Sequence, residues 1–172
     1  MFYNKDAREG ILEGILNLSK AVSSTLGGAG QTVLIEDDMG GTPRITKDGV
    51  TVARNIDSLD PLEAQGIKLM KNIAMNTNEE VGDGTTTSIV FAENLLKNLF
   101  KLKDFNESRL EYKESIERDL EKCVTYLESL KTDIDVDSKD LESIASVSAN
   151  DVTIGNIVAE AFKLVGKSGK VN

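Results

Sequence analysis

Gly82-Asp83-Gly84-Thr85-Thr86-Thr87 is the most informative run in this chain. Two glycines bracket a carboxylate, three hydroxyls follow, and the apolar spacing then predicts a helix over 85–102. Glycine adopts positive φ easily and lets backbone approach a ligand closely. A helix N-terminus offers N–H groups and the positive end of a dipole, which suit a phosphate. Asp83 has the wrong sign for a phosphate unless a cation lies between them, and Mg²⁺ takes a carboxylate together with phosphate oxygens. The competing reading is a glycine turn in which Asp83 or a threonine caps the next helix.

Outward from this run, the sequence predicts a mainly helical chain. Ile11, Ile15, Leu18 and Val22 recur at helical spacing over 7–25, and Gly27-Gly28-Ala29-Gly30 ends that segment. Residues 31–35 and 42–46 read as two short strands of a hairpin, with a turn over 36–41. A two-stranded ribbon is marginal alone, so it is expected to pair with another segment or subunit. Asp60-Pro61 opens a helix as N-cap and first residue, with Leu62, Ile67, Met70, Ile73 and Ala74 inward. Further helices are expected over 107–130, 138–147 and 151–166. Cys123 and Met70 read as core residues, as does Met75. Phe2 and Tyr3 are read as anchors for the terminus, and the last residues as the start of a strand.

The 172 residues are 40% hydrophobic, enough for a core. They carry 29 acidic against 20 basic side chains, a net charge of −9. That balance argues against a general nucleic-acid binder, which would carry a basic footprint. Residues 104–142 hold 13 of the acids and 6 of the bases, and read as a solvated helix face. With one cysteine and no histidine, the chain contains no Ser-His-Asp triad, histidine-ligated zinc or internal disulfide. No run reaches the length of a membrane span, and the N-terminus lacks the apolar stretch of a signal peptide. The expectation is a soluble cytoplasmic protein, with an organelle matrix or a phage-infected host also compatible.

Two other segments carry chemistry. Thr25-Leu26-Gly27-Gly28-Ala29-Gly30 is either a helix C-cap or a nest of N–H groups around phosphate. Ile45-Thr46-Lys47-Asp48-Gly49-Val50 is either a hairpin corner or a place where Lys47 meets phosphate charge and Asp48 orients a water. Neither a Gly-Lys-Ser/Thr phosphate loop nor a GxGxxG fingerprint is present.

The three segments, in this order, resemble the group I chaperonins, the GroEL-type family. Asn4 to Gly27 is similar to that family's first helix, including Asp6-Ala7-Arg8. The run Ile45 to Val50, continuing as Thr51-Val52-Ala53-Arg54, and the run Gly82 to Thr87 are signature stretches. Val147-Ser148-Ala149-Asn150 and Val165-Gly166-Lys167 extend the resemblance over essentially the whole chain.

The resemblance implies an ATP-dependent chaperone subunit of a ring. Asp83 would ligate Mg²⁺, and Gly82 and Gly84 to Thr87 would hold the phosphates. Thr25, Leu26, Gly27 and Lys47 would line the nucleotide, with backbone oxygens of Thr25 and Lys47 near K⁺. Asp48 would be the catalytic residue beside the attacking water, and Ser148 would approach the nucleotide from the hinge. The fold implied is a helical equatorial domain with a small hairpin over 1–130, then the start of an α/β intermediate domain over 131–172. The apical domain and the second half of the equatorial domain would lie outside the chain. The hairpin would add to a neighbour's sheet in a homo-oligomeric ring of seven subunits. A co-chaperonin lid and unfolded clients would be partners through the apical domain. ATPase activity would belong to the complete subunit, with little or no turnover by these residues alone. The alternative is a remnant or split-gene piece that acts by ring interaction only. The family usually has proline and lysine where this chain has Gly28 and Ala29, which loosens that loop and removes a positive charge.

Overall fold

The computed structural model describes residues 5–36, 40–102 and 108–166. Expectations placed on Phe2 and Tyr3, on the hairpin tip at 37–39, and on 167–172 lie outside the described residues. Contacts gather the chain into two compact units, Met1–Arg109 and Leu110–Asn172.

In the first unit, α1 (Lys5–Ser23) leads to a hairpin of β1 (Val33–Ile35) and β2 (Arg44–Thr46). Then come α2 (Gly49–Arg54), α3 (Pro61–Glu80) and α4 (Thr85–Leu99). The apolar spacing of α1 aims Ile15, Leu18 and Val22 into a core shared with Ile67 and Met70 of α3 and Ile89 of α4. Each such side chain, fully buried, contributes about 1.5–3 kcal/mol. Asp60 Oδ1 accepts from the N–H groups of Leu62 at 2.8 Å and Glu63 at 3.1 Å, and Pro61 follows as the first helical residue of α3. Glycine sets how closely α1 and α3 cross. A Cβ on Gly14 would overlap the backbone of Glu63, and one on Gly66 would overlap the Ile11 carbonyl.

The strands are antiparallel and pair Val33 with Thr46, Leu34 with Ile45, and Ile35 with Arg44. Leu34 and Ile45 face each other across the ladder and are both exposed. The sequence did not predict α2. Its six residues form because Asp48 caps the N-terminus while Val50, Val52 and Ala53 are buried.

The second unit holds α5 (Arg109–Leu130), α6 (Lys139–Ala149) and α7 (Val152–Val165). The expected domain boundary near 130 falls within this unit, at the end of α5. No residue of α5 is buried. Leu120, Val124, Leu127 and Leu130 form an exposed apolar stripe. Cys123 is therefore exposed rather than a core residue; helical spacing marks a stripe but does not supply the surface that covers it. Met70 is buried as expected, whereas Met75 is exposed.

The buried residues of α7 are Gly155 and Ala159, while Val152 and Ile157 are exposed. A Cβ on Gly155 would overlap Ser146, so α6 and α7 meet through small residues rather than the larger apolar ones. Glu142 Oε1 of α6 accepts from Lys163 Nζ of α7 at 2.6 Å. That pairing holds the Glu142 carboxyl below its ordinary value, first through the hydrogen bond and then through the lysine's charge. The same hydrogen bond raises Lys163. Among the described residues, no helix is long and apolar enough to cross a membrane.

Candidate functional site

Thr25 sits just past α1, buried, with its N–H and its Oγ1 both donating to the Val22 carbonyl, at 3.0 and 2.7 Å. The chain then curls. Gly27 takes φ +75, the Gly30 N–H donates to Gly27 O at 2.9 Å, and the Gln31 N–H donates to Ser24 O at 2.7 Å. A Cβ on Gly30 would overlap the Thr25 carbonyl, so glycine is required where the loop folds back on itself. Leu26, Gly27, Gly28 and Ala29 are exposed. A Cβ on Gly28 would meet nothing within 4 Å, so space alone does not demand glycine there.

The second segment turns from strand to helix. Thr46 Oγ1 accepts from the Asp48 N–H at 3.0 Å, and Lys47 lies exposed between them. Asp48 is the N-cap of α2 rather than a hairpin corner. Its Oδ1 accepts from the Val50 N–H at 3.2 Å; its Oδ2 accepts from the Thr51 N–H at 3.0 Å and also from Thr51 Oγ1.

The third segment is the loop into α4. Gly82 and Gly84 take φ +79 and +80, the left-handed region that favours glycine. Asp83 Oδ1 accepts from the Gly84 N–H at 2.6 Å. Gly84 is the N-cap of α4 and supplies no side-chain hydrogen bond to it. Neither Asp83 nor a threonine is therefore the cap, and the simple capping explanation of this run fails. The first N–H groups of a helix have no partner within it, and a Cβ on Gly82 or Gly84 would meet nothing within 4 Å. The two glycines therefore leave open space beside the start of α4.

The three segments meet at Thr86. Its Oγ1 lies 3.5 Å from Thr25 Oγ1. A Cβ on Gly49 would overlap the same oxygen and would reach Val22 Cγ1 at 3.2 Å. Ser148 lies exposed on α6, in the second unit.

A sequence profile of the TCP-1/cpn60 chaperonin family matches residues 18–172. The chain belongs to that family. It is 40% identical over 169 residues to Chaperonin GroEL 1 of Corynebacterium glutamicum strain ATCC 13032, covering 98% of this chain and 31% of the relative. The same figures hold for Chaperonin GroEL 1 of Corynebacterium efficiens. Among solved structures, it is similar to the chaperonin gp146 of the Pseudomonas aeruginosa bacteriophage EL 2, crystallised in the presence of ATP-BeFx. That match has a TM-score of 0.80 at 32% identity, over 99% of this chain and 30% of the other. A second crystal form gives a TM-score of 0.78 at 34% identity, over 93% of this chain and 28% of that one. The chain spans under a third of the length of these relatives. Family membership and the mainly helical fold with a small hairpin both stand as the sequence implied.

The donor set bears on the ions. Among the described residues, no group of three or more His, Cys, Asp or Glu side chains gathers to hold a metal. Two residues beside these segments were not foreseen: Thr77 of α3, whose Oγ1 donates to Ser88 Oγ at 3.1 Å, and Ser88, whose Oγ donates to the Gly84 carbonyl at 2.9 Å. Ser88 had a signal, since it extends the threonine run by a fourth hydroxyl and sits four residues after Gly84.

Proposed function

We propose that this chain is the nucleotide-binding part of an ATP-dependent chaperonin subunit that assists protein folding in a ring. The observation that carries it is the meeting of the Thr25, Asp48–Gly49 and Gly82–Thr87 segments at Thr86 Oγ1. In this reading the N–H groups of Gly84 to Thr87 and the α4 dipole bind the β- and γ-phosphates of ATP. Asp83 is a Mg²⁺ ligand; backbone oxygens of Thr25 and Lys47 serve K⁺. Leu26 and Gly27 bound the ribose side, and the Lys47 ammonium offsets phosphate charge. Bound Mg·ATP supplies the phosphoanhydride bond to be hydrolysed. Asp48 accepts a hydrogen bond from the attacking water, which its capping bonds leave it able to do, since each carboxylate oxygen accepts more than one. Ser148 approaches the nucleotide from the hinge side. A seven-subunit ring, a lid, unfolded clients and a cytoplasmic setting belong to the complete subunit.

A second reading, ring interaction without turnover, is favoured by the hairpin. Two three-residue strands with exposed Leu34 and Ile45 gain by adding to another sheet. Titration of the chain with Mg·ATP and Mg·ADP by calorimetry separates the two. Saturable, Mg²⁺-dependent binding that Asp83→Ala abolishes supports the nucleotide site. A flat titration at millimolar nucleotide, with retained binding to chaperonin rings, leaves only the interaction reading.

A further inference from the structure

The carbonyl of Gly84 receives two donors from one residue. The Ser88 N–H and the Ser88 Oγ each donate to it at 2.9 Å. Ser88 Oγ in turn accepts from Thr77 Oγ1 of α3 at 3.1 Å. Thr77 Oγ1 also lies 2.9 Å from the Ile73 carbonyl of its own helix. Each hydroxyl has one proton to give. With the Thr77 proton on Ser88 Oγ rather than on the Ile73 carbonyl, the order Thr77 to Ser88 to Gly84 makes an unbroken chain from α3 to the loop. Both hydroxyls are half-buried, where such a bond is less exposed to competition from water.

We infer that Thr77 and Ser88 are positioning residues that set the Gly84–Thr85 peptide plane. This rests on the nucleotide-site reading for its ligand. The physical reason is peptide geometry. In a trans peptide the C=O and the following N–H point in opposite directions. Anchoring the Gly84 carbonyl toward Ser88, along α4, therefore aims the Thr85 N–H the other way. Gly84, at φ +80 and without a Cβ, has little steric preference of its own to hold that plane. The side-chain relay adds to the single backbone bond from the Ser88 N–H that otherwise holds the plane. Neither hydroxyl has to touch the nucleotide; each acts through Gly84.

Amide hydrogen exchange in the full chain, without nucleotide, tests the relay directly. Ser88→Ala and Thr77→Val are each expected to speed exchange of the residue-88 amide at the end of this loop, the one that donates to the Gly84 carbonyl, by about five- to tenfold after correction for intrinsic rate. The Leu18 and Val22 amides of α1 should be unmoved. The double variant should exchange no faster than Ser88→Ala, because both changes break one chain, and Thr77→Ser should restore the wild-type rate. Unchanged loop exchange in either single variant, or independent multiplication in the double, overturns the relay. Mg·ADP titration reads the ligand side. Binding weakened several-fold by Ser88→Ala and Thr77→Val, and restored by Thr77→Ser, supports positioning; wild-type affinity in both overturns it. No binding by the wild-type chain defeats the nucleotide-site reading and its ligand side, while the exchange data still decide the relay.

Discussion

Thr25 Oγ1 and Thr86 Oγ1 lie 3.5 Å apart although 61 positions separate them in sequence. One closes the first helix and the other belongs to the first turn of the fourth. Gly49, the first residue of α2, packs against the same threonine, and a Cβ there would overlap its hydroxyl as it is placed. Three loops are thereby held in register by two hydroxyls and one missing side chain.

Gly49→Ala should damage this junction more than helix propensity suggests. Alanine favours a helix over glycine, yet its Cβ would overlap Thr86 Oγ1. The expected net cost is about 1–3 kcal/mol from overpacking. Urea denaturation measures it; a variant as stable as wild type would show that α2 can shift freely.

Asp48 carries a structural duty beside its proposed catalytic one, and two substitutions separate them. Asp48→Ala should lose about 1 kcal/mol with the cap. Asp48→Asn keeps one of the two capping oxygens and should lose less stability than Asp48→Ala while losing hydrolytic function in an assembled ring. Paired thermal melts and ATPase assays check this. Full ATPase activity in Asp48→Asn would remove Asp48 from the chemistry.

Ser19 is fully buried in α1, and its Oγ finds no hydrogen-bond partner among the described residues. Leaving a hydroxyl unsatisfied costs about 1–3 kcal/mol. Ser19→Ala should therefore leave the melting temperature unchanged or raise it. A clear drop would mean the hydroxyl is satisfied in solution, for example by a buried water.

The Glu142–Lys163 pair gives the second unit a pH dependence. Glu142 is held below its ordinary value of 4.5, so its contribution is present above that pH. It is lost as pH falls through the depressed folded value. Lys163 is raised above 10.5, so its contribution is present below that pH and lost as pH rises through the raised value. Both side chains are partly exposed, and the effect should be small and salt-sensitive. NMR titration of Glu142 and Lys163 at low salt should show both shifts, and Glu142→Gln should return Lys163 to its ordinary range. A Lys163 titration unmoved by Glu142→Gln would show that the ion pair does not form in solution.

Much was legible in the residues alone. Apolar spacing marked α1, α3, α4, α5, α6 and α7, and Asp60-Pro61 announced the start of α3. The three chemistry-bearing runs identified the family before any coordinates. These signals are local: spacing fixes which residues share a helix face, and glycine or a capping side chain fixes where a helix stops. Cys123 and Met75 were misplaced because spacing says which side chains share a face, not what covers it.

Tertiary packing decided the rest. No local pattern says that Thr25 and Gly49 both abut Thr86, or that α6 and α7 touch through Gly155. Nor does spacing reveal the chain of hydroxyls from Thr77 through Ser88 to the Gly84 carbonyl. Each depends on which helices cross, and crossing is set by where glycines allow close approach. The sequence determined the family and every helix but α2. The crossings of α1, α2, α3 and α4 determined which other residues stand beside the run from Gly82 to Thr87.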